Sequence, residues 1–119
     1  MNNTLYIRPE YLQEIKQILH KRLPETAKVL AYGSRVVGNY HNGSDLDLAI
    51  ENISDYAVID ELQDDFSYSN IPILIDIHLL NRLPQLWQEN IKKQHKIIDN
   101  GLTILYYYNV YEFRVVLLA

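Results

Sequence analysis

The chain has 119 residues, 48% of them apolar and 22% charged, with a net charge of −4 and no cysteine. That length supports one hydrophobic core rather than two, and the composition excludes wholesale disorder. Without cysteine there is no disulfide scaffold or thiolate site, and the acidic balance argues against broad electrostatic binding of nucleic acid, though not against a small nucleotide carried with a metal ion.

The first residues, MNNTLYIRPEYL, lack the basic start and apolar run of a signal peptide, so a cytoplasmic setting is the expectation. Pro9 suits the first turn of a helix, and Leu12, Ile15, Ile18 and Leu19 then recur at helical spacing until Pro24 forces a stop. Residues 28–32 (KVLAY) read as a buried strand that meets a turn at Gly33, after which Ser34 can open a short helix. Residues 45–51 (DLDLAIE) alternate, which puts Asp45 and Asp47 on one strand face and Leu46, Leu48 and Ile50 on the other. Ser54 is the expected cap of a second long helix with Ile59, Leu62 and Phe66 as its inner stripe. Residues 71–80 (IPILIDIHLL) are rich in β-branched side chains and predict a third strand, with Pro72 tolerated near its start or edge. Leu83, Trp87, Ile91 and Ile98 mark a last helix that closes at Asn100-Gly101, with Trp87 in the core.

A domain over residues 1–101 is therefore expected, followed by an apolar tail, residues 102–119. Asn109, Glu112 and Arg114 interrupt that tail, whereas a membrane span needs about 20 mostly apolar residues. No membrane role is expected, and three readings of the tail stay open: an added strand, an apolar contact surface, or an unordered segment.

Three carboxylates stand out because each is costly where it sits. Asp76 lies in a run of isoleucines and leucines, and a buried unpaired carboxylate is expensive. Asp45 and Asp47 repel one another across a single residue, which makes it costly to keep both charged. A divalent cation converts both penalties into binding, and magnesium usually binds through a few carboxylates plus substrate phosphates. Two such ions about 3.5–4 Å apart can clamp the attacking and leaving oxygens of a phosphoryl-type transfer. Gly33 allows close approach of the backbone to a phosphate, the helix opened by Ser34 favours an anion, and Arg35 can neutralise triphosphate charge or stand as a surface cation. Ser44 is a further candidate nucleotide ligand beside its turn role. His41 and His78 read as structural or surface groups, although His78 shares a strand face with Asp76. Together the halves suit a metal-bound nucleoside triphosphate.

Gly33-Ser34, ten intervening residues and Asp45-Leu46-Asp47, with a later strand aspartate at Asp76, resemble the nucleotidyltransferase superfamily of the DNA polymerase β type. The fuller text GSRVVGNYHNGSDLDLAI, in so short a chain, is similar to the minimal nucleotidyltransferase (MNT) group. The resemblance implies an α+β fold, a small mixed β-sheet flanked by about four helices. It implies that Asp45 and Asp47 hold Mg²⁺, that Asp76 completes a second metal site and acts as base, and that Gly33 and Ser34 bind the triphosphate of ATP. It also implies a role as antitoxin: an adenylyltransferase that moves AMP from ATP to a tyrosine of a HEPN-domain RNase toxin, with which it forms a hetero-oligomer. Two rivals follow from the same residues. One is a binding module that blocks its toxin by contact, with vestigial carboxylates; the other is a transferase acting on a small molecule or an RNA end. Arg35 and His41 also satisfy the loose spacing of HEPN nucleases, but Gly38, Asn39, Asn42 and Gly43 place them in a loop rather than on a helix.

Overall fold

The computed structural model describes residues 5–99. Helix α1 (Pro9–Arg22) starts on its proline, where the missing N–H has no partner to lose, and carries Glu10 in its first turn and His20, Lys21 and Arg22 in its last, matching the helix dipole. Leu23 turns extended because the residue before a proline is driven out of the helical region. Strand β1 (Lys28–Tyr32) leads through the one-turn helix α2 (Ser34–Val37) and a loop into β2 (Leu46–Glu51). Helix α3 (Ala57–Ser67) then crosses to β3 (Ile75–Leu79), and a 3-10 turn at Leu80–Arg82 and helix α4 (Gln85–Lys93) return the chain to β4 (Lys96–Asp99).

The strands form one mixed sheet in the order β3-β2-β1-β4. β1 runs antiparallel to both β2 and β4, while β2 and β3 are parallel. One face of the sheet is closed by α1 and α3: Ile15, Leu19, Leu62 and Phe66 pack on Val29, Ala31, Leu48, Ile50, Ile75, Ile77 and Ile98. On the other face the described residues form a smaller cluster, Leu30, Ala49, Leu80 and Ile91, which covers only part of the surface. Asp47 and Asp76 stand on that half-covered face, one residue out of phase with the Leu48 and Ile77 side chains that enter the main core. Leu48 is fully buried at the middle of that core. Leu48→Ala is expected to lower the unfolding free energy by about 3 kcal/mol, measured by chemical denaturation, with little change in the slope of the transition.

The expected helices at both ends and the α3 stripe are present, and four expectations are corrected. The last helix stops at Lys93, and Ile98 belongs to a fourth strand rather than to the helical stripe; Gln94 is already extended, and β4 gains ladder bonds from β1. Trp87 is 53% exposed and not core, because the short α4 lays Ile91 alone fully into the sheet. The third strand is Ile75–Leu79, shorter than residues 71–80 at both ends. Ser54 does not cap α3; the Asp55 carboxylate accepts the Ala57 N–H at 3.0 Å instead. The tail expected over residues 102–119 lies outside the described residues. Among the described residues no helix is long and apolar enough to cross a membrane.

Candidate active site

The sheet register assembles the site. Tyr32 on β1 pairs with Asp47 on β2, and Asp47 pairs with Asp76 on β3, so the three side chains form a row across adjacent strands on the same face. Gly33, at the end of β1, has φ +85°, a conformation open to glycine and strained for side-chain-bearing residues. A β-carbon at Gly33 would lie 2.5 Å from Asp47 Oδ2, so this backbone runs directly against the carboxylate. Its carbonyl accepts the N–H groups of Val36 and Val37 and so starts α2, while Ser34 stands at the first helical position, where an N–H has no carbonyl a turn earlier.

Burial, then the charges of Asp76 and Asp45, push the Asp47 carboxyl above the usual carboxylate range, with His78 opposing the shift. Burial first, then Asp47 and Asp76, pushes the Tyr32 hydroxyl up to about 12, so it keeps its proton at neutral pH. His78 Nε2 stands 3.1 Å from Asp76 Oδ2 and can fix that carboxylate's orientation. Sequence reasoning read Tyr32 only as a strand end; its place immediately before Gly33 was the available signal.

Arg35 requires a correction. It is not a surface cation, since the residue is 6% exposed and its guanidinium is surrounded by carbonyls. Nε donates to Ser44 O at 3.0 Å, Nη1 to Tyr6 O at 2.9 Å, and Nη2 to His41 O at 3.3 Å and Asn42 O at 3.1 Å. Tyr40 lies over the same group, with 5.1 Å from ring centre to Cζ. Arg35 therefore ties down the loop between α2 and β2, and with it the approach to Asp45. Ser44 serves that loop as well: its hydroxyl accepts the His41 N–H at 2.9 Å. His41 Nδ1 in turn accepts the Gly43 N–H at 3.1 Å, so the Arg35–His41 pair is loop scaffolding and not a nuclease centre.

The expected cage of three carboxylates is not closed in the protein alone. Among the described residues no three His, Asp or Glu side chains gather into a metal site. The fold brings Asp47 and Asp76 together, and Asp45 stands exposed just before β2, its charge still felt at Asp47. The donor set nevertheless fits magnesium, which takes oxygen ligands, commonly one or two carboxylates, and completes its shell with substrate phosphates and water.

The model of the polymerase beta nucleotidyltransferase family matches residues 13–100. The chain belongs to that family. This nucleotidyltransferase is 36% identical over 97 residues to the "Probable protein adenylyltransferase MntA" of Haemophilus influenzae, covering 80% of this chain and 84% of the relative. Its fold is shared with a chain of the crystal structure of a toxin-antitoxin with AMP-PNP, at a TM-score of 0.60 and 20% identity, covering 86% of this chain and 87% of the other. It is shared also with a chain of the toxin-antitoxin MntA-HepT, at a TM-score of 0.56 and 17% identity over 89% and 88% of the two chains. The nucleotidyltransferase thus has the mixed sheet and flanking helices that the motif implied.

Proposed function

We propose that this protein is the antitoxin of a toxin-antitoxin pair and transfers AMP from ATP to a tyrosine of its partner, a HEPN-domain toxin. The observation that carries the reading is the register of Asp47 against Asp76 beneath the Gly33 backbone, in a chain related to an adenylyltransferase along most of both lengths. Gly33 and Ser34 receive the phosphates, whose charge the protein meets with backbone N–H groups, because the Arg35 guanidinium is occupied by carbonyls. Asp45, Asp47 and Asp76 are the residues that would hold one or two magnesium ions, which would supply neutralisation of phosphate charge and polarisation of the α-phosphate. Asp76 takes the proton of the incoming hydroxyl as its oxygen bonds to the α-phosphorus, the bond from that phosphorus to the bridging oxygen breaks, and pyrophosphate leaves. His78 holds the Asp76 carboxylate, and the protonated Tyr32 hydroxyl adds a donor at the edge of the acidic pair. Among the described residues the cluster on this sheet face is small, in keeping with an acceptor supplied by another molecule.

The test incubates the purified protein with labelled ATP, Mg²⁺ and the product of the neighbouring gene. Label is expected on a tyrosine of that partner, reduced at least about 100-fold by Asp45→Asn in a protein that still folds. A stable complex without transfer would replace catalysis with inhibition by contact. Label on an RNA end or small molecule, with no protein partner needed, would reassign the acceptor.

A further inference from the structure

Among the described residues β3 is an edge strand, so the backbone groups on its outer side have no neighbouring strand there to bond. One side chain takes that place. Gln63, on the second turn of α3, donates from Nε2 to Ile75 O at 2.7 Å, and its Oε1 accepts the Ile77 N–H at 3.2 Å. A side-chain amide carries the same donor and acceptor as a peptide, so Gln63 stands in for a missing strand residue. The two groups it engages belong to the residues immediately before and after Asp76. On the inner side β3 is laddered to β2 with Asp76 beside Asp47. Asp76 is therefore gripped from both sides.

We propose that Gln63 is a positioning residue for Asp76, acting through the strand on which the carboxylate is mounted. The inference deepens the reading above, since it rests on Asp76 being the proton acceptor. A carboxylate must stand within hydrogen-bond reach of the hydroxyl it deprotonates, and small misplacement is costly. The Ile77 N–H and Ile75 carbonyl would otherwise turn to water, and the outer edge of β3 would loosen at the point where the proton is received. Stability alone would be served by such a bond anywhere along β3, whereas its two arms straddle the one carboxylate of that strand.

The test replaces Gln63 with methionine, which keeps the length and removes both hydrogen bonds, and confirms folding by an unchanged far-UV spectrum. Two readouts follow. Hydrogen exchange measured by NMR without any substrate is expected to show the Ile77 N–H exchanging at least about tenfold faster, while the amides of β1 and β2 keep their protection. Steady-state transfer is expected to show kcat reduced by about 10- to 100-fold with the KM for ATP nearly unchanged, the signature of a lost transition-state interaction. Unaltered Ile77 exchange overturns the clamp. Faster exchange with an unchanged kcat, or a KM that rises in its place, overturns the positioning role. Absence of any transfer by the unaltered protein would count against the adenylyltransferase reading instead, and the exchange measurement would still decide the clamp.

Discussion

Asp47→Asn is expected to abolish transfer, by about 10³-fold or more, and at the same time to make the apoprotein more stable at neutral pH. Both effects have one cause. Burial and the charges of Asp76 and Asp45 hold the Asp47 carboxyl above its ordinary range, so its ionised form is destabilised in the folded protein without a cation. The sign follows from linkage. A raised folded pKa means that the native state binds the proton more readily than the unfolded chain, so stability is greatest below the ordinary carboxylate range and falls as pH rises through the raised folded value. Asparagine removes that fall, with an expected gain in stability at pH 7 and none in acid, where Asp47 is protonated in both states. Thermal unfolding across pH 3–8 checks this. Magnesium should raise the melting temperature of the unaltered protein and leave that of Asp47→Asn unmoved, because only a ligand with differential affinity for the native state stabilises it. An Asp47→Asn protein less stable than its parent at pH 7 would remove the electrostatic argument for a cation site.

Gly33→Ala is expected to lose both stability and transfer. The positive φ of Gly33 costs any residue with a β-carbon about 1–3 kcal/mol. The new methyl group would also stand 2.5 Å from Asp47 Oδ2 and displace the carboxylate that the register sets beside Asp76. Transfer should fall about 100-fold, since misplacement by an ångström has that order of effect. Gly38 provides the control: it too has a positive φ, at +108°, but the nearest atom to its added β-carbon would be Tyr6 Cε2 at 3.4 Å, an ordinary contact away from the carboxylates. Gly38→Ala should therefore lose stability while kcat in the remaining folded protein stays near its original value. Denaturant midpoints and single-turnover rates separate the two glycines. Equal loss of rate in both would mean that the Gly33 backbone has no special relation to Asp47.

The candidate site was legible wherever a residue violated a local rule. Asp76 in an isoleucine strand and Asp45 beside Asp47 are each unfavourable by short-range physics, and an unfavourable residue marks its place in the sequence. Gly33 and Ser34 were legible for the opposite reason, because a turn and a helix start are local events. Arg35 was visible as a charge and misread as to its partners. The four carbonyls that receive its guanidinium belong to Tyr6 and to residues 41, 42 and 44, and no spacing rule connects them. Gln63 gave no signal at all, since an amide on a helix is ordinary until the strand opposite it turns out to be an edge. Trp87 and β4 failed together: a helical stripe from Leu83 to Ile98 satisfies periodicity, but pairing with β1 draws residues 96–99 into the sheet and leaves Trp87 on a short, partly exposed helix.

The sequence by itself determined the alternation that sends Leu46, Leu48 and Ile50 into the core and Asp45 and Asp47 to the other face, the glycine corner, and the helix limits at Pro9 and Pro24, because these depend on neighbours within a few residues. The tertiary structure decided the parallel register that sets Asp47 against Asp76, the contact of Gly33 with that carboxylate, and the Gln63 bridge across the strand edge. Those depend on strand order and on hydrogen bonds between distant segments, which only packing of the whole sheet and its helices can select.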